Sequence, residues 1–170
     1  QVLVSKSLPY AGRILIYSAP AALTQHIEWA LDQHISPPVG PKWVNQPLAP
    51  GAKAAEVEYQ SKLPIAAKLA TRLIKWRYLR FEITEQFKVS GDATLYRVTP
   101  DLGLHQASLA SNGDVILNEH QVNQIISNSV SHKKLQVDLE KALGNQWEIE
   151  LEPFRIALAG GAPEIFSNIG

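Results

Sequence analysis

Apolar residues recur along this chain with two different periods, and the order of those periods predicts the fold. The run GRILIYSA, Gly12 to Ala19, is short and almost continuously apolar. It reads as a central strand covered on both faces. PAALTQHIEWALDQH, Pro20 to His34, then switches to helical spacing, with Leu23, Ile27, Ala30, Leu31 and His34 on one face. Pro20 suits a first helical turn, and the proline-rich ISPPVGP ends the helix. KWVNQP reads as a short edge strand closed by Pro47. AKAAEVEYQ alternates, with Ala55, Val57 and Tyr59 opposed to Glu56, Glu58 and Gln60. PIAAKLATRLIKW, Pro64 to Trp76, is a second amphipathic helix. YLRFEITEQ alternates again, with Leu79, Phe81 and Ile83 opposed to Arg80, Glu82 and Thr84.

The order β-α-β-β-α-β predicts a ferredoxin-like unit over residues 12–89, with two helices on one face of an antiparallel sheet. After Ser90 to Asp92, the stretches ATLYRVTP, GLHQASLA and DVILN read as three more strands. The Asn112-Gly113 pair marks a hairpin turn between the last two. Asn118 with Gln121 predicts a capped helix carrying Val122, Ile125 and Ile126. Ser131 caps another, with the stripe Leu135, Leu139, Ala142 and Leu143 and Gly144 at its end. The expectation is one α+β domain over 1–170, its second half (92–170) a hairpin region and two helices packed on the first.

Composition narrows the chemistry. Sixteen basic residues balance sixteen acidic ones in 170, which disfavours nucleic acid as a partner. The absence of cysteine removes disulfides, thiolate nucleophiles and thiolate zinc sites. It also fits a reducing compartment, so the cytoplasm is the expected location. No apolar run approaches the roughly 20 residues of a membrane span, and the first dozen residues lack a secretory pattern. With no methionine in the chain, Gln1 is not expected to be the first residue translated. No metal site or cofactor is implied.

The stretches RILIYSAPAALTQHIEWAL, LRFEITEQ, YRVTPDLG, SNGDVI and LGNQWEIELEPF occur in order along most of the chain. Together they resemble an actinobacterial family of uncharacterised cytoplasmic proteins, catalogued as domain of unknown function 3145. Members of that family carry a Cys-Pro pair before the histidine, where this chain has Thr24 and Gln25. They also carry a Gly-Thr-Gly-rich entry to the second helix, where this chain has Leu63, Pro64 and Ile65. Neither that cysteine nor a phosphate-binding glycine loop can therefore serve here. The resemblance implies no activity and no site residues.

Candidate chemistry is sparse. His26 and Glu28 lie two apart in a helix, about 200° around the axis, and so cannot form a direct pair. A His-x-Glu motif without Pro-Cys-x-x-Cys is not a zinc deaminase, and no His-Glu-x-x-His occurs. His26 reads better as stacked on Trp29, with Trp29 buried at an interface. Asp101, in the turn before His105, is a candidate orienting group for a general base, although Pro-Asp-Leu-Gly is also ordinary turn chemistry. Glu82 and Arg80 would need partners if the sheet's second face were covered. IKWRYLR interleaves cations and aromatics as single-strand readers do, but also as a helix end does. Glu148, Glu150 and Glu152 could line one side of a helix on which Trp147, Leu151 and Phe154 share the other. Arg80, Tyr96 and Trp29 are the candidates for holding a ligand. Three functions follow: a non-catalytic interaction or regulatory protein that docks a partner or a second copy, which leads; a small-ligand sensor with its pocket between the two halves; and an acid/base enzyme using His105 or His26 with Asp101 or Glu82.

Overall fold

The structure is a computed structural model and describes residues 7–160. The stretch 1–6, part of the segment searched for a secretory pattern, and the end of the C-terminal extension, 161–170, lie outside the described residues. The first strand, β1 (Tyr10–Pro20), is followed by a 3-10 turn (Ala21–Leu23) and α1 (Thr24–Asp32). Then come β2 (Val44–Asn45), β3 (Ala52–Ser61), α2 (Ala66–Leu73) and β4 (Arg80–Phe87). The second half supplies β5 (Ala93–Thr99), β6 (Gly103–Leu109), β7 (Val115–Ile116), α3 (Glu119–Asn128), α4 (His132–Leu143) and α5 (Asn145–Leu158).

All of these strands join one antiparallel sheet in the order β2-β3-β1-β4-β5-β6-β7. The protein is thus α+β, with five α-helices and seven strands among the described residues. The hairpin strands of the second half do not make a separate layer. They pair edge to edge with β4 and widen the sheet. The expectation of two C-terminal helices is corrected to three. The third, α5, contains Pro153 and alternates three glutamates, features that also suit a strand.

The first face of the sheet is apolar. Ile14, Ile16, Val57, Tyr59, Phe81, Ile83, Tyr96 and Val98 pack there against Ile27 and Leu31 of α1 and Ala66, Leu69, Ala70 and Leu73 of α2. Helical and strand periods meet here because each element turns its apolar side inward. One polar group is built into this face. Glu85 of β4 is buried and accepts hydrogen bonds from the Tyr59 hydroxyl at 2.7 Å and the backbone amides of Ile65 and Ala66 at 3.0 and 3.1 Å. It thereby caps the start of α2, whose own cap residue Ile65 has no side-chain acceptor. Gly12 makes this reach possible. It pairs with both Tyr59 and Glu85 across β1, and a Cβ there would overlap the Tyr59 ring.

Candidate functional site

Residues that alternate with the apolar ones point to the second face. One rung crosses five strands: Glu56 of β3, Leu15 of β1, Glu82 of β4, Arg97 of β5 and His105 of β6 are successive partners in register. Helix α5 lies over part of this rung. Its Trp147 and Leu151 are buried, and the Trp147 indole N–H donates to Gly103 O at 2.9 Å.

Arg97 and His105 are both buried and serve the end of α4. The Arg97 guanidinium donates to Leu143 O at 3.2 Å, and His105 Nε2 lies 2.9 Å from Ala142 O. These carbonyls are among those a helix end leaves without internal donors. Gly144 follows with φ +77°, and a Cβ there would overlap His105 and Arg97. Glycine is thus required both for the turn and for the close approach. Burial holds the His105 pKa below its ordinary value, against the opposing effect of the Ala142 hydrogen bond, and Arg97 lowers it further. Arg97 Nε and His105 Nδ1 are buried without a hydrogen-bond partner among the described residues.

The remaining charges form a chain along α5. Glu148 pairs with Arg97 at 2.8 Å and with Arg155 at 2.7 Å, and the Arg155 hydrogen bond, opposed by burial, holds its carboxyl below the usual range. Arg155 also pairs with Glu152 and donates its Nε to the Tyr17 hydroxyl at 3.3 Å. Burial and the charge of Glu82 push the Tyr17 pKa up to about 12. Glu82 itself has only 17% of its side chain exposed and lies 3.6 Å from Arg155, beyond hydrogen-bond range. Its oxygens accept no hydrogen bond from the described residues. Burial raises its pKa, with Arg155 and Arg97 acting in the opposite sense.

Beside this chain the sheet is not covered. A groove of about 730 Å³ runs between α5 and β1 and β3. Leu15, Val44, Ala54 and Leu158 give it apolar walls, and Tyr17, Glu82 and Arg155 give it a polar floor. The same Glu82, Glu148 and Arg155 also line a second hollow of about 450 Å³ toward β5 and β7, so they form the partition between the two.

The residues anticipated from sequence are dispersed by this fold. Asp101 is exposed in the turn between β5 and β6, while His105 points inward onto Ala142. Arg97 stands between Glu82 and His105 in register, which leaves those two on strands about 10 Å apart. His26 is exposed on α1, across the sheet from Glu82. It does meet Trp29, edge to face at 5.4 Å, but Trp29 is 55% exposed rather than buried at an interface. Glu28 accepts from the Trp43 indole at 2.6 Å. Arg80 is closed off by Glu150 at 3.3 Å and by the Phe154 ring at 4.6 Å. Tyr96 lies on the first face and accepts from Gln106 at 3.3 Å. Of the seven, only Glu82 lines the larger groove. Sequence reasoning missed Tyr17 and Arg155, which no local motif marks, because their contact joins residues 138 positions apart.

No group of three or more metal-ligating side chains occurs among the described residues, and no described helix is long and apolar enough to cross a membrane. No curated protein and no solved structure matches the chain. A family model described as "Protein of unknown function (DUF3145)" matches residues 13–166, and the chain belongs to that family.

Proposed function

We propose that this protein binds a small molecule in the groove between α5 and the second face of the sheet, and acts as a ligand sensor or carrier in the cytoplasm. The observation that carries this reading is Glu82, a partly buried carboxylate whose oxygens accept no hydrogen bond from the described residues and which lines a concave space of ligand size. A buried charge left without hydrogen bonds is costly, and such groups concentrate at binding sites. The walls come from both halves of the chain, so a ligand there would bridge them. We further infer a ferredoxin-like unit from β1 to β4 with α1 and α2, supported by the order β2-β3-β1-β4.

Thermal-shift screening against a metabolite library tests the reading. A ligand at 100 times its dissociation constant stabilises by about 2.7 kcal/mol, which at this size is several degrees in Tm. The expected hit raises the Tm of the wild type and not that of Leu158→Trp, which narrows the groove. A broad library with no hit, or hits indifferent to Leu158→Trp, would refute it.

A second reading, docking of a partner protein or another copy, is favoured by α3 and α4. Neither contains a buried residue; Ile126 and Val137 on them are 57% and 49% exposed, and Val130 between them is 89% exposed. Light scattering after size exclusion reads the homodimer version. A strict monomer at micromolar concentrations removes it.

A further inference from the structure

We propose that the groove takes a ligand with a primary amine and an apolar body, its ammonium held at Glu82 and its body along Leu15, Val44, Ala54 and Leu158; this rests on the groove reading above. The fixed donors around the groove floor do not reach every carboxylate. Glu82, Glu148 and Glu152 are three carboxylates served by two guanidiniums, Arg97 and Arg155. Arg155 already spends its Nη1 on Glu148 and Glu152 and its Nε on Tyr17, so its charge is matched before Glu82 is reached. Arg13 closes onto Glu56 at 2.6 Å, and Arg80 onto Glu150, which removes both as partners. Lys42 lies at the exposed rim and forms no ion pair among the described residues. The lining as a whole is formally balanced, with Arg13, Lys42 and Arg155 against Glu56, Glu82 and Glu148, and what Glu82 lacks is a donor within hydrogen-bond reach among the described residues.

A primary ammonium supplies three donors on one small head. Two Glu82 oxygens are available to accept, and the Tyr17 hydroxyl, which lines the same groove, is a third acceptor. A guanidinium fits less well, because the Arg155 guanidinium already occupies the space 3.6 Å from Glu82. The apolar walls then have only methylene or aromatic groups to meet, which is the division of roles common in small-molecule sites. An anionic ligand would have to place its charge against a carboxylate that no donor of the described residues meets.

The test titrates n-hexylammonium, n-hexanoate and n-hexanol into the 15N-labelled protein and follows amide shifts. The expected result is saturable perturbation by hexylammonium of amides around Leu15, Tyr17, Glu82 and Leu158. Glu82→Gln should weaken it at least tenfold, and hexanoate and hexanol should not saturate. In the wild type, hexylammonium affinity should also fall as Glu82 is protonated in acid, a readout independent of how the variant folds. Hexanoate or hexanol binding as tightly as the amine, or amine affinity indifferent to both Glu82→Gln and pH, would overturn the amine assignment while leaving the groove a ligand site. No groove perturbation by any of the three would overturn this proposal and count against the groove reading as well.

Discussion

The two faces of one sheet treat a glutamate of β4 in opposite ways. Glu85 and Glu82 are three apart on β4 and so point to opposite sides. On the α1–α2 side, Glu85 receives three donors and ties β3 to the start of α2. On the α5 side, Glu82 receives none and looks into a groove. The first arrangement is a sealed structural device. The second has the form of an unfinished one, complete only with something else present. The same contrast holds for the faces as wholes: one is apolar and closed by α1 and α2, while the other is charged and half-covered by α5 and the end of α4.

The contrast predicts where stability resides. Phe81 is fully buried on the first face, and Phe81→Ala should cost about 3–5 kcal/mol in denaturant unfolding. Leu158 borders the groove and is 37% exposed, so Leu158→Ala should cost about 1 kcal/mol or less. Equal losses would mean that the groove wall is as tightly packed as the core.

The two glutamates sharpen the test on a single strand. Glu85→Ala strands the Tyr59 hydroxyl and two amides in the core. Each orphaned buried donor costs about 1–3 kcal/mol, so about 3 kcal/mol or more should be lost. Glu82→Gln should instead leave stability unchanged or raise it near neutral pH, because it removes a partly desolvated charge that accepts no hydrogen bond from the described residues. The sign with pH is definite. Glu82 binds its proton more tightly when folded, so its contribution is fully present below the unfolded carboxyl pKa and is lost as pH rises through the raised folded value. The advantage of Glu82→Gln over wild type should therefore grow from acid toward neutral pH. An advantage that shrinks over that range would contradict the unsatisfied state of Glu82.

The faces also differ in how far the sequence discloses them. The closed face is legible because burial on one side of a strand forces a period of two, and Leu79, Phe81 and Ile83 display it. Glu85 continues that same parity, and an acid on the apolar side of a strand is the signal that would have found it. The charged face is not legible in this way. Glu82, Arg97 and His105 occupy positions that would suit open solvent equally well until α5 is placed over them. Helix α5 is itself disguised, since Pro153 and the alternation of Glu148, Glu150 and Glu152 both point away from a helix. The partnership of Tyr17 with Arg155 depends on that docking and has no local trace.

His105 offers a smaller effect of opposite sign to that of Glu82. Burial lowers its pKa in the folded protein, so its contribution is present above the unfolded value of 6.5 and is lost as pH falls from there through the lowered value. The protonated ring would place a new donor at Nδ1, which has no acceptor, beside the Arg97 charge and facing Glu148 only through that arginine. The expected result is a stability loss below about pH 6.5 in the wild type that His105→Gln lacks. Chemical denaturation at several pH values reads it. Identical profiles for the two proteins would show that the α4 cap does not depend on the neutral imidazole.

The smallest effect is expected where the second face is open. Arg13 and Glu56 pair at 2.6 Å across β1 and β3, but their side chains are 53% and 50% exposed. Water screens such a pair, and holding two long side chains together costs rotamer freedom. A double-mutant cycle with Arg13→Ala and Glu56→Ala should give a coupling of about 0.2–1 kcal/mol, weakening with salt. The Arg97–Glu148 pair, with Arg97 only 6% exposed, lies under α5 on the same face. Its cycle should give the larger coupling and the weaker salt dependence, because a desolvated guanidinium has few alternatives to its partner. If the Arg13–Glu56 coupling matched it and resisted salt, the groove floor would be as dry as the region beneath α5. The division of this face into a covered and an open half would then fail.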